Sequence, residues 1–470
     1  MVYPRVKIIA TLGPASATLE VVSSMAREGV TGFRINFSHG SRDEWLNLVK
    51  VVREAEKKTR RHLALIGDLQ GPSVRLGVVE EPFTVKRGDV VEIVLTEKAG
   101  KGERILPLPV EKFFETVEEG DRLLMDDGRL VLAVEEVYAD KVVARVLTEG
   151  RISSHKAIVI RGKEVELPAI TGKDFQDIEF AVKQDFDYIA LSYVRSGDDI
   201  RALRSILEDY GRPDMGVIAK IETVSGVRRL KSIINESDII LVARGDLGMQ
   251  FPLEDIPWLQ RTIINESLKR GKPVIVATQI LGSMVESPTP SRAEIVDVVT
   301  AMIEGADAIM LTGETAVGKY PLETVKWLKK IIEKYAEKIN YPRPKPLDER
   351  DVKERFAYSV VVLSEELRAK LAVFSKHGNT ALRIAKYRPN IPFYVASSSD
   401  KVLRKLSIIW GVKPIKVEAE DYMSGLKETY RVLLEHNEVC YGDIIVLTYG
   451  MIGEEEHLIK IVRALKPTLS

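Results

Sequence analysis

The feature that most constrains the fold is a repeat in which short apolar segments alternate with amphipathic ones. Eight segments rich in β-branched residues have the length of buried strands, namely RVKIIAT (5–11), GFRINFS (32–38), LALIGD (63–68), YIALSYV (188–194), GVIAKIE (216–222), DIILVAR (238–244), PVIVATQ (273–279) and DAIMLT (307–312). The spacing of roughly 22–35 residues within each run of segments is the size of a βα unit. Eight such units predict a (β/α)8 TIM barrel, and an open doubly wound sheet is the alternative.

One long interval interrupts this repeat. Residues 73–168 lack the βα period and contain strand pairs such as KRGDVVEIVLT and DKVVARVLT. Asp127-Gly128 is a typical hairpin turn between alternating apolar segments. We therefore predict a small β-barrel domain, inserted after the third barrel strand. Gly71-Pro72 would be the hinge where the chain leaves the barrel.

The end of the chain has a different organisation. The segment NYPRPKPLDE (340–349) has the composition of a linker. Four further apolar strands follow it, and they predict a C-terminal α/β domain: LAVFS (371–375), PFYVASS (392–398), KPIKV (413–417) and DIIVLTYG (443–450). The predicted boundaries are 1–72 and 169–341 for the barrel, 73–168 for the inserted domain and 342–470 for the C-terminal α/β domain.

Composition argues against several classes of partner. The 69 basic and 69 acidic residues cancel, so no overall field attracts a nucleic acid or a membrane surface. The N-terminal segment has no signal-peptide pattern, and no apolar run reaches the ~18 residues of a membrane span. The single cysteine, Cys440, cannot form an internal disulfide, which favours a reducing, cytoplasmic setting. A charged content of 29% is typical of a heat-adapted organism.

Charged residues follow most of the predicted barrel strands. Because barrel active sites form at the carboxyl ends of the strands, these residues should converge there: Arg34, Arg75, Lys220 and Arg244, with Asp68, Glu222, Asp246 and Glu314. Lys220 and Glu222 are two residues apart on one strand, so both side chains face the same way. Carboxylates of this kind bind Mg²⁺. We predict a divalent metal with anionic substrates, and the alternative is a structural salt bridge.

Two loops add polar groups at the same end. RGDLG (244–248) follows a strand and should open a helical turn, whose backbone N–H groups bind anions. An ordinary βα turn is the alternative. RINFSHG (34–40) alternates Arg34, Asn36 and Ser38 on one face. Burying these side chains costs free energy unless they bind a ligand or form an internal hydrogen-bond network.

These segments resemble the pyruvate kinase family over nearly the whole chain. The likeness rests on KIIATLGPAS, FRINFSHG, GDLQGPSVRLG, AKIET, VARGDLGMQ, VATQILGSMVESPTPSRAEIVDV and GADAIMLTGETAVGKYP. It implies phosphoryl transfer from phosphoenolpyruvate to ADP, giving pyruvate and ATP in the last step of glycolysis. It also implies a requirement for Mg²⁺ or Mn²⁺ and a homotetramer.

The resemblance further implies roles for individual residues. Glu222 and Asp246 would bind the divalent metal, and Lys220 would neutralise charge on the transferring phosphoryl group and the enolate. Arg34 would clamp the phosphate.

The substrate carboxylate would be received by the backbone of Gly245 and Asp246 and by the Thr278 hydroxyl. Thr278, Thr312 and Glu314 are candidates for the proton route to the enolate carbon.

Nucleotide contacts follow from the resemblance as well, at Thr11, Pro14, Asn36, His39, Arg75 and Lys156. Lys156 departs from the family pattern, because HKAIVI stands where relatives have a KGVN-like stretch. The inserted domain would close as a lid over the nucleotide and carry Arg75 with it.

GDLQGPSVRLG (67–77) also differs from its relatives. Leu69-Gln70 stands where Thr-Lys is common, and Ser73 stands where an acid is frequent. In relatives K⁺ is bound by residues that match Asn36, Ser38, Asp68 and the carbonyl of Leu69. Because the acid that makes a second cation useful is absent, our hypothesis is weak or absent K⁺ dependence.

A loop in the C-terminal domain is similar to the one where regulated relatives bind sugar bisphosphates, and it comprises Ser375, Lys376, His377, Gly378, Asn379 and Thr380. The second anchoring loop, YGMIGEEEH (449–457), brings three glutamates, Glu454 to Glu456, and no Arg or Trp. We therefore expect no activation by fructose 1,6-bisphosphate. The loop would serve a smaller phosphorylated metabolite, or it would be an inherited turn without a ligand.

Two other functions stay open on the residues alone. One is a Mg²⁺-dependent lyase or aldolase that works through an enolate on a barrel. The other is a non-catalytic metabolite sensor, against which the costly buried charges argue.

Overall fold

The computed structural model describes residues 5–126, 128–346, 350–450 and 457–465. It begins with two βα units and a third strand: β1 (Lys7–Thr11), α1 (Leu19–Arg27), β2 (Val30–Asn36), α2 (Arg42–Thr59) and β3 (Ala64–Asp68). Helix α2 begins at a capping box, in which Ser41 and Glu44 each accept the other's backbone N–H. The local sequence thus fixes where the chain turns from strand to helix.

The chain then leaves the barrel and forms a separate β-structure. Its elements are β4 (Val78–Val79), β5 (Phe83–Val85), β6 (Val90–Val94), β7 (Lys98–Ala99), β8 (Ile105–Pro107), α3 (Glu111–Thr116), β9 (Arg122–Met125), β10 (Leu130–Val137), β11 (Lys141–Val146), β12 (Gly150–Ile152) and β13 (Ile158–Ile160). Six strands form one sheet in the order β13-β9-β10-β11-β6-β8, and two strand pairs accompany it. An apolar cluster of their own stabilises them, with Ile93, Phe113 and Leu132 fully buried. Asp127 of the predicted hairpin turn lies outside the described residues.

The return segment supplies the other five barrel strands and their helices: α4 (Gly172–Lys183), β14 (Tyr188–Leu191), α5 (Gly197–Asp209), β15 (Gly216–Ile221), α6 (Val224–Arg228), α7 (Leu230–Glu236), β16 (Ile239–Ala243), α8 (Arg244–Gln250), α9 (Ile256–Lys269), β17 (Val274–Ala277), α10 (Arg292–Glu304), β18 (Ala308–Leu311), α11 (Gly313–Ala316) and α12 (Pro321–Tyr335). Short 3₁₀ turns cover Leu253–Asp255 and Gly282–Val285.

Eight parallel strands close into a barrel in the order β1-β18-β17-β16-β15-β14-β3-β2. Each overlaps one of the eight apolar segments of the sequence, so the predicted TIM barrel is confirmed. Strand β18 follows β17 and also pairs with β1, which closes the sheet on itself. The sheet leaves no free edge, and its interior must be filled by side chains.

The strand register arranges the interior in layers. Ile9, Gly32 and Ala64 pair across β1, β2 and β3, and one step towards the carboxyl ends Arg34 pairs with Ile66. The alternate residues of these strands pack against the surrounding helices. Polar side chains at the carboxyl ends therefore rest on apolar layers beneath them.

The C-terminal part is an α/β layer structure, as expected: α13 (Val352–Glu366), β19 (Lys370–Phe374), α14 (Asn379–Lys386), β20 (Phe393–Ser397), α15 (Asp400–Leu406), β21 (Val412–Lys416), α16 (Tyr422–Glu435), β22 (Ile444–Gly450) and β23 (His457–Arg463). Its sheet has the order β21-β20-β19-β22-β23. The antiparallel edge strand β23 was missed from the sequence, although HLIKIVR alternates in character. None of the described helices could cross a membrane.

Candidate active site

A chain of charges lies at the carboxyl ends of β2, β3 and β15, with Asp68 buried and the Arg34 and Lys220 side chains 13% and 14% exposed. Arg34 Nε donates to Asp68 Oδ2 over 2.6 Å, and Lys220 Nζ lies 3.5 Å from Asp68 Oδ1. Burial alone would raise the pKa of the Asp68 carboxyl, but the charges on Lys220 and Arg34 hold it below its usual value. Asp68 therefore stays ionised and holds two cations that the sequence separates by 186 positions.

Two residues of this site, Ser192 and Tyr193, were not predicted from the sequence. Ser192 Oγ accepts a 2.6 Å hydrogen bond from Lys220 Nζ and donates one of 2.8 Å to the Leu69 carbonyl. The Tyr193 backbone N–H donates to Glu222 Oε1 over 2.6 Å. A signal was present, because both residues directly follow β14 at the carboxyl end of the barrel.

Glu222 occupies an unfavourable place for an isolated carboxylate. Its Oε2 lies 3.5 Å from Lys220 Nζ and accepts no hydrogen bond within the described part of the chain. Burial first, and then the nearby charge of Asp246, raise the pKa of Glu222 to about 8 against the opposing effect of Lys220. One of its two oxygens therefore lacks the hydrogen bond that burial demands, which is a property of ligands whose partner is a cation.

Asp246 lies in the first turn of α8, the helix that directly follows β16. Its charge acts on Glu222, Lys220 and Tyr193, so it shares their environment. No group of three or more His, Cys, Asp or Glu side chains suited to a metal occurs among the described residues. Two carboxylates fit Mg²⁺, because this ion commonly keeps waters and takes further oxygens from a substrate.

Thr278 and Gly245 form a polar cradle beside these carboxylates. The Gly245 N–H donates to Thr278 Oγ1 over 2.7 Å. Thr278 and Gln279 have left-handed backbones, with φ of 68° and 52°, a strained arrangement for residues other than glycine. Arg244 holds it in place by donating to the Thr278 and Gln279 carbonyls over 2.8 and 3.0 Å.

Arg244 therefore does not act as a free charge at the barrel mouth. Its guanidinium also pairs with Asp297 over 2.7 Å. The structure gives it a supporting position behind Thr278 rather than one facing a substrate.

Glu314 and Thr312 form a second supported pair after β18. The Glu314 carboxylate accepts the Thr312 backbone N–H over 2.7 Å and the Thr312 hydroxyl over 3.2 Å. Glu314 is buried and also accepts the Leu281 N–H. The pair joins the loop after β17 to the loop after β18.

The residues expected to contact a nucleotide are only partly brought together. Thr11 Oγ1 accepts from Arg34 Nη1 over 3.1 Å, which links it to the charged chain. Partial burial and then the charges of Arg75 and Arg34 lower the pKa of His39. His39 is thus close enough to both arginines to interact with them electrostatically. Pro14 is exposed on the β1–α1 loop.

The inserted domain contributes two more of the expected nucleotide contacts. Arg75 Nη1 donates to the His155 carbonyl over 3.0 Å. Lys156 pairs with Asp126 of the same β-structure over 3.0 Å. Within the described residues, no hydrogen bond or ion pair joins the Lys156 side chain to the barrel.

The expected monovalent-cation ligands are also placed. Asp68 and the Leu69 carbonyl lie on either side of Ser192, whose hydroxyl is 3.5 and 2.8 Å from them. Asn36 Oδ1 accepts the Ser38 N–H over 3.1 Å. Protein donors thus already bond to two of these oxygens.

The predicted effector loop caps β19 and α14. Ser375 Oγ accepts the Gly378 N–H over 2.9 Å, and Lys376 turns away to donate to the Glu420 carbonyl over 2.8 Å. The Lys376 ammonium group lies over the Tyr422 ring. His377 is not joined to the other loop residues by any hydrogen bond of the described chain.

The far end of that loop borders a cavity of about 140 Å³, lined by Lys353, Phe356, Ala357, Asn379, Thr380, Arg383, Gly450 and His457. His457 Nδ1 is buried and has no hydrogen-bond partner in the described chain. Glu454, Glu455 and Glu456 lie outside the described residues.

Comparison with known proteins agrees with this geometry. The family model "Pyruvate kinase, barrel domain" matches residues 3–325, and "Pyruvate kinase, alpha/beta domain" matches residues 354–462. A pyruvate kinase from Aeropyrum pernix is 38% identical over 461 residues, which is 98% of this chain and 99% of the relative. One from Thermotoga maritima is 35% identical over 455 residues, covering 95% and 96%.

Solved structures give the same result. The crystal structure of pyruvate kinase from Pyrobaculum aerophilum superposes with a TM-score of 0.89 at 37% identity, covering 98% of this chain and all of that one. A pyruvate kinase from Cryptosporidium parvum gives a TM-score of 0.90 at 33% identity, covering 98% and 96%. With its barrel and its C-terminal domain both matched, the chain belongs to the pyruvate kinase family of phosphotransferases.

Proposed function

We propose that this site transfers the phosphoryl group of phosphoenolpyruvate to ADP, with Mg²⁺ or Mn²⁺ required. The observation that carries the proposal is the buried alternation Arg34, Asp68, Lys220, Glu222, at spacings of 2.6 to 3.5 Å. Cations and anions alternate here in a way that suits a substrate with both a phosphate and a carboxylate. Phosphoryl transfer depends mainly on such positioning and neutralisation of charge.

Each cation has a distinct task. Arg34 presents a planar guanidinium to the phosphate, and Asp68 fixes its orientation. Lys220 keeps its proton, because Asp68, Glu222 and Asp246 raise its pKa against the effect of burial. It therefore remains a cation that can stabilise the transferring phosphoryl group and the enolate oxygen.

Glu222 and Asp246 would hold the divalent metal, which supplies a further positive charge for the substrate carboxylate and enolate oxygen. The backbone of Gly245 and Asp246 and the Thr278 hydroxyl would receive the carboxylate. Thr278 would also belong to the proton route to the enolate carbon, and Thr312 with Glu314 would extend it.

The inserted domain would act as a lid over the nucleotide, with Arg75 close to the hinge. The barrel would contribute Thr11, Pro14, Asn36 and His39 to nucleotide binding, and the lid would contribute Lys156. Glu164 Oε1 of the inserted domain accepts a hydrogen bond from the Ser225 N–H of the barrel over 2.6 Å, so the two parts are already in contact.

We propose weak or absent K⁺ dependence. Of the expected ligands, the Leu69 carbonyl is bonded to Ser192 and Asn36 is bonded to Ser38. Ser73, in the place of an acid, lies 3.4 Å from the Tyr193 hydroxyl. Turnover should be compared in K⁺ and in a tetraalkylammonium salt, and a stimulation of tenfold or more by K⁺ would contradict the proposal.

A phosphorylated metabolite smaller than fructose 1,6-bisphosphate is the proposed effector. Lys353, Arg383 and His457 give the cavity beside Thr380 a basic lining. Thermal shifts with a panel of phosphometabolites test this, together with Ser375→Asp. The absence of any shift would leave an inherited turn as the explanation of the loop.

The proposed assembly is a homotetramer. Exposed large apolar side chains support it: Trp258 on α9 and Val296 on α10, at 69% and 65% exposure, and Ile461 of the edge strand β23 at 52%. Exposed apolar surface is commonly covered by subunit contacts.

A coupled assay with phosphoenolpyruvate, ADP and Mg²⁺ is the decisive experiment. ATP and pyruvate formed in equal amounts would support the proposal. Pyruvate released without ATP would indicate a lyase instead, and binding without turnover would indicate a metabolite sensor.

A further inference from the structure

The barrel interior and the C-terminal domain share one apolar core. Interior residues such as Ile9, Ile66 and Ile218 belong to the same buried cluster as Leu406, Ile408 and Val412. The segment 405–412, which runs from the end of α15 to the start of β21, is therefore part of the packing of the barrel itself. We call it the floor segment, because it lies at the amino ends of the strands, opposite the active site.

Hydrogen bonds attach the floor segment to three barrel strands. The Ser407 hydroxyl donates to the Thr31 carbonyl of β2 over 2.8 Å, and the Tyr188 hydroxyl of β14 donates to the Lys405 carbonyl over 2.9 Å. Lys7 Nζ of β1 donates to the Val412 carbonyl over 2.6 Å. The position of the segment is thus fixed relative to the strands that it supports.

Ile408 fills the space where β2 has no side chain. A Cβ added at Gly32 would lie 2.6 Å from Ile408 Cγ2, and then 3.5 Å from Ile9 and 3.6 Å from Ala64. Ile408 is 1% exposed. The glycine is explained by this contact, since its backbone angle is not of the kind that requires glycine.

Arg34 lies directly above this contact. Successive residues on one face of a strand are two positions apart, roughly 6.6 Å, so the side chain after Gly32 on the interior face is that of Arg34. The packing of Ile408 against β2 therefore bears on the strand position that carries the guanidinium. Because packed interiors are dense, a displacement at one layer is passed to the next.

We propose that Ile408 is a positioning residue for Arg34, and that the C-terminal domain acts on phosphate binding through it. The inference rests on the proposed role of Arg34 in clamping the phosphate. It identifies the physical contact through which a change in the C-terminal domain would reach the active site.

The test exchanges volume between the two partners. Ile408→Ala removes three carbon atoms and opens a cavity, Gly32→Ala overfills the same space by one methyl group, and the double variant refills part of the cavity without the clash. We expect each single variant to raise the KM for phosphoenolpyruvate by about 3- to 10-fold, with less than a twofold change in the KM for ADP, since small misplacements of a substrate-binding group have large effects. The double variant should have a lower KM for phosphoenolpyruvate than Ile408→Ala alone.

Three further variants make the result decisive. Ile445→Ala removes the same atoms from the other C-terminal core, and it should lower the melting temperature without changing either KM. Ile408→Leu removes the contacting methyl group at constant volume, and it replaces Ile408→Ala in the test if that variant does not fold. Arg34→Lys tests the underlying role separately, and an unchanged KM there would overturn the clamp and with it the inference.

If the single variants lower only the melting temperature, Ile408 is structural and the inference is wrong. A double variant no better than Ile408→Ala would also overturn it, because the effect would then not pass through the contact with Gly32.

Discussion

The buried Asp68 lies between two half-buried cations, and replacing it by Asn tests how much the site depends on this shared anion. Asp68 is 2% exposed, with Arg34 at 2.6 Å and Lys220 at 3.5 Å. The substitution keeps the shape but leaves both cations without their shared anion. Breaking a buried pair of this kind costs about 3–5 kcal/mol, and we expect the melting temperature of the free enzyme to fall by roughly 5–10 °C.

The substrate should reverse much of this loss. The phosphate of phosphoenolpyruvate would supply the negative charge that Asn lacks. A ligand stabilises the folded state in proportion to its affinity for that state, so the shift caused by phosphoenolpyruvate should be larger in Asp68→Asn than in the wild type. Turnover should still fall, because Arg34 loses the partner that orients it.

Differential scanning fluorimetry in K⁺-free buffer measures both effects. Asp187→Asn is the matched control, because Asp187 is fully buried between Arg53 and Arg404 at the opposite end of the barrel. It should lose stability without any gain in the substrate-induced shift. If Asp68→Asn melts within 1–2 °C of the wild type, or if its shift with substrate is no larger, the reasoning is refuted.

Three other variants are informative. Lys220→Met should lower kcat by about 10³-fold or more while the circular dichroism spectrum is kept, and undiminished turnover would contradict the assignment. Arg75→Ala should raise the KM for ADP about tenfold and leave that for phosphoenolpyruvate within twofold; an equal effect on both would place Arg75 elsewhere. Burial and then the charge of Lys413 lower the pKa of Lys7 from 10.5 to about 7. Between these pH values the unfolded chain binds a proton that the folded chain does not, so the stability of the wild type should rise with pH relative to that of Lys7→Met. If the melting temperatures of the two proteins change in parallel from pH 7 to 9.5, this expectation is wrong.

The sequence was sufficient for the barrel because its signals are local. Each strand is an apolar segment of the right length, and the position of Glu222 two residues after Lys220 follows from strand geometry alone. It could be predicted that the charges at the strand ends lie together, because parallel strands share one carboxyl edge. Arg34 and Asp68 were placed at that end for the same reason, and they are in contact.

What the sequence could not supply depends on contacts between distant segments. Arg244 has the same local pattern as a ligand-binding arginine, but Asp297 and the Thr278 carbonyl engage it. Ile408 looks like any apolar residue near a helix end, and only the folded chain places it under Gly32. The edge strand β23 has no fully buried residue, so it lacks the continuous apolar run of a buried strand.

The separate apolar cluster of the inserted sheet has a consequence for engineering. Because Ile93 and Leu132 pack among residues of that sheet, the inserted segment is a suitable module for exchange between relatives, with chimeras joined near Gly71. The C-terminal domain is not a module in this sense. Its Ile408 completes the barrel interior, so a minimal enzyme obtained by deleting that domain would first need a redesigned floor.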